Sequence, residues 1–392
     1  MTAQHDTPVS RTTTALDDTA GPAFAAVGKL FQSFRRADPS YGAQVSVYFR
    51  GKEVVSIAEG NGVSAESITG AYSCSKGIAA MVMALLVQEG HLDLDRTVSS
   101  YWPEFGCHGK EGILVREALS HRAGLLGVPG GIPIADFHTA KAAAALAAAR
   151  PLWRPGSTFG YHALTIGILM EELCRRVTGS SLQDLYNQRL RVPYGIDFFL
   201  GLPAAEEPRY RKVVYEVPPA DSWLDALSFD GLNSNAPHST VMELPNLREV
   251  RAHGMSAAGG VGSAGGLARA YAAVSTGVDG GEPALSQCTI TAMSEEQVWG
   301  LDRTSGLDNA FGVVFMKPHP SRNFGSHLAF GHEGANAALG FADPAYGLAF
   351  GYIPARAEDG RTAGRAHQLA AAARQAAASL HPGAGRVARK IK

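Results

Sequence analysis

Apolar residues recur at helical spacing close to the beginning of the chain. The segment 22–37 places them on one face: Phe24, Val27, Leu30, Phe31 and Phe34. Such a stripe is typical of an amphipathic helix that packs on a core. Two strand-like runs follow, Gln44–Phe49 and Glu53–Ile57, joined by a short turn at Gly51. This pattern predicts a helix followed by a pair of antiparallel strands.

The middle of the chain is predicted to be mostly helical. A helix that is apolar on nearly all sides extends from about Ser73 to Glu89 and ends at Gly90, a pattern that belongs in the protein interior. Helical periodicity dominates residues 114–200. Residues 201–250 instead combine prolines, charges and isolated aromatic residues. They predict a long irregular segment, of the kind that commonly serves function or is disordered.

The last part of the chain returns to alternating helix and strand patterns. A helix over 265–276 precedes several β-like runs, and a closing helix covers 363–380. The β-like runs are Phe311–Met316, His327–Phe330, Ala337–Phe341 and Leu348–Ile353. Because strands from both chain ends can share one sheet, the order of elements predicts an α+β fold. It consists of an antiparallel sheet flanked by the N- and C-terminal helices, with an inserted, mostly helical domain.

These patterns predict two domains and two tails. Residues 22–70 and 265–380 are expected to form a discontinuous sheet domain. Residues 71–264 are expected to form a mostly helical domain that contains the 201–250 segment. Residues 1–21 are predicted to be a disordered tail, and residues 381–392 a second tail.

Composition restricts the partners to be expected. The chain has 392 residues, 45% of them hydrophobic, and can bury a large core. A net charge of -1 gives no electrostatic reason to expect nucleic acid. No apolar run approaches the roughly 20 residues of a membrane helix, and residues 1–20 lack the apolar core of an export signal. We therefore expect no membrane partner and a cytoplasmic location. The composition does not indicate an oligomeric state.

No metal or cofactor is predicted. The cysteines are widely separated and fit neither a zinc site nor a disulfide framework: Cys74, Cys107, Cys174 and Cys288. The histidines lack the spacing of metal ligands. The run from Gly260 to Gly265 matches a dinucleotide fingerprint, but no βαβ pattern surrounds it. We interpret this run as a structural turn.

A serine and a lysine one helical turn apart stand at the start of the buried helix. In Ser73-Cys74-Ser75-Lys76 the lysine can reach the Ser73 hydroxyl, because residues i and i+3 share a helix face. Burial disfavours a charged ammonium, so Lys76 could accept a proton from Ser73. The helix N-terminus would add partial positive charge beside an oxyanion. The alternative is an N-cap serine followed by a surface lysine.

Two further segments could contribute to the same chemistry. Tyr161 stands at the junction that opens the helix 163–177, where a phenol can project into a cleft and transfer protons. A capping tyrosine packed on the helix is the alternative. The segment Phe330-Gly331-His332-Glu333-Gly334-Ala335 lies between two strand-like runs, where backbone amides could form half an oxyanion hole. A hairpin turn with a solvated His-Glu pair is the alternative.

Together these motifs resemble an active-site set known from one superfamily. Ser73-x-x-Lys76, Tyr161-x-Ala163 and His332-x-Gly334 are similar to the motifs of class C β-lactamases, DD-peptidases and family VIII esterases. The segments 119–125 and 331–343 are also similar to the corresponding family segments. The resemblance covers residues 22–380.

The resemblance implies an acyl-enzyme mechanism and a role for each matched residue. Ser73 would be the nucleophile, while Lys76 and Tyr161 would share the role of general base. The backbone amides of Ser73 and Ala335 would form the oxyanion hole. His332 and Gly334 would contact the substrate. From the 201–250 segment, Trp223 and Phe229 are expected to line the substrate pocket.

Two departures from the family pattern favour an esterase. The family's β-lactamases have asparagine where this chain has Ala163, and lysine where it has His332. Both changes weaken recognition of a penicillin or a D-Ala-D-Ala peptide. The prediction is a serine carboxylesterase acting on small-molecule esters. The alternatives are an acyltransferase with the same acyl-enzyme, an amidase or weak β-lactamase, and a binding protein without catalytic activity.

Overall fold

The structure is a computed structural model that describes residues 21–215, 225–238, 241–358 and 364–380. Its α-helices are α1 (Ala25–Ala37), α2 (Cys74–Gln88), α3 (Val98–Tyr101), α4 (Val115–Leu119), α5 (Ala140–Ala148), α6 (Thr165–Thr178), α7 (Leu182–Tyr186), α8 (Phe229–Asn233), α9 (Arg248–His253), α10 (Ala264–Ser275), α11 (Gln287–Ser294) and α12 (Gly364–Ser379). Its strands are β1 (Ala43–Phe49), β2 (Lys52–Glu59), β3 (Ile68–Gly70), β4 (Phe198–Phe199), β5 (Tyr210–Arg211), β6 (Val261–Gly262), β7 (Val298–Leu301), β8 (Asp308–Phe311), β9 (Phe330–Glu333), β10 (Leu339–Asp343) and β11 (Leu348–Pro354).

An antiparallel sheet joins the two ends of the chain. Its strand order is β2-β1-β11-β10-β9, so strands distant in sequence lie side by side, and β9 is bridged on its other side to Met316 through Gly331. Strands β1 and β11 are buried along their whole length. Because side chains alternate between faces, Val45 and Phe350 pack with α1 and α12, whereas Ala349 and Ile353 pack with α10. The predicted α+β fold with terminal helices on an antiparallel sheet is confirmed.

The helical middle is built around α2. Thirteen of its fifteen residues are buried, as expected for a helix that is apolar on nearly all sides. Side chains of α10 pack into this helical cluster as well as on the sheet. The division into two domains with a boundary at 264/265 stays a prediction. Residues 1–20 and 381–392, which belong to the predicted tails, lie outside the described residues.

The strands of the last part were predicted at shifted positions. Strand β9 covers 330–333, not 327–330, and the segment 330–335, predicted to lie between two strand-like runs, is itself strand up to Glu333. At Gly331 a Cβ atom would lie 2.3 Å from the Gly340 carbonyl oxygen of β10. The glycine therefore allows close strand pairing here rather than a turn. Phe311 ends β8 instead of beginning a strand.

Two small sheets were not predicted. One joins β3 to β4, β5 and β6, and the other is the β7–β8 hairpin. The described part of 201–250 consists of short helices and strand β5, in agreement with an irregular segment. Within the described ranges, no helix has the length and apolar character needed to cross a membrane. Cytoplasmic location stays a prediction.

Candidate active site

Ser73 stands immediately before α2, with Lys76 one turn into the helix. The preceding residue, Tyr72, has left-handed backbone with φ 47°, a strained conformation for a residue other than glycine. It turns the chain into the helix. The Lys76 Nζ atom lies 2.9 Å from the Ser73 Oγ atom and 2.8 Å from the Ala257 carbonyl oxygen. The sequence prediction that lysine reaches serine thus agrees with the geometry.

Burial controls the protonation of the lysine. Lys76 has no exposed surface, and burial lowers the pKa of its amine well below the ordinary value. A neutral amine that donates one N–H to the Ala257 carbonyl keeps a lone pair. That lone pair can accept the Ser73 proton. The alternative of a surface lysine is wrong.

The neighbouring serines have other partners. The Ser75 hydroxyl donates to the Tyr72 carbonyl oxygen and accepts from the Gly260 amide at 2.8 Å. Ser263 caps α10 by accepting from the Gly266 amide at 3.0 Å. Ser73, in contrast, makes no side-chain cap, and its hydroxyl faces a lysine.

Tyr161 reaches Ser73 from the segment before α6. Its phenol lies against the Ser73 side chain, and burial raises the pKa of that phenol, with the serine contact opposing the rise. The Lys76 Nζ atom lies 4.9 Å from the centre of the Tyr161 ring. Two neutral groups able to transfer protons, an amine and a phenol, therefore surround one hydroxyl.

Two backbone amides are available beside the nucleophile. Neither the Ser73 nor the Ala335 amide donates a hydrogen bond to another of the described residues, and both residues line one cavity. Gly334 explains how the two segments meet, since a Cβ atom there would lie 2.4 Å from the Ala71 carbonyl oxygen. Gly334 thus allows the close approach of backbone that brings Ala335 beside the start of α2.

His332 is a buried neutral imidazole. Its Nδ1 atom lies 2.7 Å from the Glu333 carbonyl oxygen, so Nδ1 carries the proton and Nε2 is left as an acceptor. That Nε2 atom has no partner among the described residues. Burial, together with the nearby Lys76, lowers the pKa of His332 to about 3. The ring lies 6.0 Å from that of Tyr161, centre to centre.

The cavity that contains these groups has a volume of about 320 Å³. Ser73, Tyr161 and His332 line it together with Arg322 and Glu333. The Arg322 guanidinium lies 3.3 Å from the Glu333 carboxylate, whose other oxygen lies 2.9 Å from an imidazole nitrogen of His367. Burial alone would raise the pKa of Glu333, but the His367 hydrogen bond and the Arg322 charge lower it. Arg322 and Glu333 therefore neutralise each other in the wall of the cavity.

Of the two aromatic residues predicted for the pocket, the structure describes only Phe229. Phe229 begins α8, and its ring lies 6.0 Å from that of Trp153, which lies 6.1 Å from that of His162 beside Tyr161. The residues that line the 320 Å³ cavity do not include Phe229. Trp223 lies outside the described residues. Their pocket role stays a prediction.

Sequence reasoning missed several residues of the site. Ser305, Asn309 and Phe311 of the β7–β8 hairpin line the cavity, and no motif singled them out. Glu333 was considered only as part of the segment 330–335, with a solvated His-Glu pair as the alternative, whereas its side chain is half-buried and forms part of the cavity wall. The described residues contain no group of three His, Cys, Asp or Glu side chains that could hold a metal ion.

Comparison with known proteins establishes the family. The chain belongs to the Beta-lactamase family, whose sequence profile matches residues 27–375. This agrees with the resemblance found in the three motifs. Over 361 residues the chain is 30% identical to the esterase/beta-lactamase LipL of Mycobacterium tuberculosis, covering 85% of this chain and 81% of the relative.

Two solved structures are also similar to this chain. One is EstA from Arthrobacter nitroguajacolicus Rue61a, with 51% identity and a TM-score of 0.90 over 92% of this chain and 98% of that one. The other is a family VIII carboxylesterase, with 30% identity and a TM-score of 0.80 over 91% of this chain and 98% of that one.

Proposed function

We propose that this protein is a serine carboxylesterase that hydrolyses small esters through an acyl-enzyme on Ser73. One observation carries the proposal: the Ser73 Oγ atom lies 2.9 Å from the amine of the buried Lys76, in a cavity that Tyr161 also lines. That arrangement supplies a nucleophile with its proton acceptor. The similarity to LipL, EstA and a family VIII carboxylesterase supports the same reaction class.

The mechanism follows from the positions of these groups. Ser73 Oγ attacks the ester carbonyl carbon while its proton passes to the neutral Lys76 amine, either directly or through Tyr161, whose phenol gives its own proton to that amine as it accepts the one from Ser73. The Ser73 and Ala335 amides donate to the oxyanion, where each preorganised donor contributes on the order of 3 kcal/mol. The same proton then goes to the leaving alcohol, and the acceptor Nε2 of His332 can hold that alcohol's hydroxyl. Water then attacks the acyl-enzyme and gives a proton to the same base. That proton returns to Ser73 Oγ as the acid is released.

The charge of the cavity favours esters over β-lactams. His332 remains neutral because its pKa is about 3, so it cannot attract a carboxylate as a lysine does. Arg322 is the charged alternative, but Glu333 already pairs with it. Ala163 offers no side-chain amide for a substrate. Both anchors that a penicillin needs are absent from these positions.

Short esters are expected to be hydrolysed with a kcat/KM at least about a hundredfold above that for the cephalosporin nitrocefin. Each lost charged hydrogen bond costs about 1.5–3 kcal/mol, a tenfold to hundredfold handicap. Steady-state kinetics with p-nitrophenyl acetate and nitrocefin measure the ratio. Ala163→Asn should lower it, because the substitution restores a carboxamide. Equal kcat/KM values for the two substrates in the wild-type enzyme would contradict the proposed substrate class.

Trp223→Ala and Phe229→Ala are expected to change the ratio of kcat/KM between short and bulky esters, with melting temperature close to wild type. Pockets for small ligands are mostly apolar, and loops on a fixed scaffold commonly provide them. Leu227→Ala on the same segment is the control, since Leu227 is 70% exposed. Lower stability with an unchanged ratio would assign both aromatic residues to the core.

A further inference from the structure

The segment that carries Tyr161 is held through consecutive backbone amides. The Gly160 amide donates to the His121 carbonyl oxygen at 3.1 Å, and the His162 amide donates to His121 Nδ1 at 3.0 Å. The Ala163 amide donates to Asn233 Oδ1 at 2.7 Å. Between them, the Tyr161 amide donates to Asp302 Oδ1 at 3.0 Å.

Asp302 is a buried carboxylate whose partners are N–H donors. It has no exposed surface. Besides the Tyr161 amide, its Oδ1 atom accepts from the Thr304 amide at 2.8 Å and the Ser305 amide at 3.3 Å. Its Oδ2 atom accepts from Asn309 Nδ2 at 2.8 Å. A carboxylate satisfied in this way is fixed in position, because each displacement would leave buried donors unpaired.

The same hairpin also holds the Tyr161 ring. Phe311 of β8 is stacked on that ring, with centres 5.8 Å apart and planes 13° apart. Ser305, Asn309 and Phe311 line the cavity that contains Ser73. The β7–β8 hairpin therefore contacts both the backbone and the ring of Tyr161. It also forms one wall of the substrate cavity.

We propose that Asp302 is a positioning residue for Tyr161: its carboxylate fixes the backbone from which the phenol reaches Ser73. The proposal rests on the proposed role of Tyr161 in proton transfer. Asp302 does not touch the reacting atoms. It acts by joining the β7–β8 hairpin, which forms one wall of the cavity, to the segment that carries Tyr161. The position of the Tyr161 phenol relative to that wall is thereby fixed. What Asp302 supplies is an acceptor for the Tyr161 amide, and its negative charge is not required.

Asp302→Ala is expected to lower kcat for p-nitrophenyl acetate about 10- to 100-fold while KM changes less than about threefold. A displacement near 1 Å of a catalytic group can cost a hundredfold in rate. Asp302→Asn should keep kcat within about threefold of wild type. Its carboxamide oxygen can still accept from the Tyr161 amide. Asn309 can turn its own amide to match, because its Oδ1 atom has no partner among the described residues.

The decisive measurement repeats Asp302→Ala in a Tyr161→Phe background, where kcat should fall less than about twofold further. A residue that acts only through Tyr161 has nothing left to position there. Asp343 provides a matched control, because it is equally buried and accepts the Ser326 amide at 2.7 Å without touching the site. Asp343→Ala should destabilise the fold but leave kcat within about twofold. If Asp302→Ala does not fold, Asp302→Ser replaces it, since a serine hydroxyl is too short to reach the Tyr161 amide.

The possible outcomes distinguish an error in the proposed role of Tyr161 from an error in the proposed role of Asp302. If Tyr161→Phe alone leaves kcat unchanged, the proposed role of Tyr161 is wrong. If Tyr161→Phe lowers kcat but Asp302→Ala lowers it by the same factor in both backgrounds, Tyr161 keeps its role and Asp302 is merely structural. A loss of activity in Asp302→Asn as large as in Asp302→Ala would show that the charge matters, and it would also overturn the proposal.

Discussion

Ser73→Ala is expected to lower kcat for p-nitrophenyl acetate by at least about 10⁴-fold, because removing a nucleophile leaves only binding and oxyanion stabilisation. The wild-type enzyme, treated with a p-nitrophenyl phosphonate, should gain one covalent adduct. Peptide mass spectrometry should locate that adduct in the peptide that contains Ser73. The variant should gain none.

Ser75→Ala and Ser263→Ala serve as controls for this labelling. Both hydroxyls are engaged in structural hydrogen bonds, so their loss should affect stability while the adduct still forms on Ser73. An adduct on Ser75 or Ser263 in the wild-type enzyme would refute the assignment of the nucleophile.

Lys76→Met should lower kcat about 10²- to 10⁴-fold, the usual contribution of a general base, without lowering the melting temperature at pH 7. The pKa of Lys76 in the folded state lies well below its unfolded value because of burial. Below the unfolded pKa the unfolded state binds the extra proton, so this lysine destabilises the fold as pH falls from about 10 towards 7. Methionine removes that cost.

The pH dependence of stability provides a further test of the prediction for Lys76→Met. The difference in melting temperature between Lys76→Met and wild type should favour the variant more at pH 7 than at pH 10. Lys110→Met is the matched control, because Lys110 is also buried, and its Nζ atom lies 2.6 Å from the Ala149 carbonyl oxygen, away from the site. Lys110→Met should leave kcat near wild type. Full activity in Lys76→Met would exclude the lysine from proton transfer.

Local sequence patterns predicted the parts of the fold and site that depend on neighbouring residues. The apolar run of α2 fixed both the burial of the helix and the position of Ser73 and Lys76 on one face. Strand β9 was misplaced because Gly331 looks like a turn residue by type, and only pairing with β10, with Gly331 opposite Phe341 and His332 opposite Gly340, makes this segment strand. Such pairing depends on residues that come later in the chain.

Contacts between distant segments could not be predicted from local sequence patterns for the same reason. Asp302 stands in a polar turn between two short strands. The local sequence pattern of such a turn predicts a solvent-exposed segment. Its contact with Tyr161 spans 141 positions of sequence. The tautomer of His332 is set by a local contact, but it depends on where the backbone places the Glu333 carbonyl oxygen and not on residue type. Residue identities alone predict which groups can react, while the fold decides which of them meet.

The burial of α2 has a consequence for the dynamics of the enzyme. Solvent can reach the amides of a helix with thirteen of fifteen residues buried only when the whole core opens. Lys76 therefore belongs to the part of the molecule that exchanges its amide hydrogens most slowly, whereas the Ser73 amide, which lies before the helix and lines the cavity, is expected to exchange faster. We expect the helix to hold Lys76 in place for as long as the rest of the core remains folded. Heat should then abolish activity and native structure in one transition, with no stage at which a folded protein has lost its nucleophile.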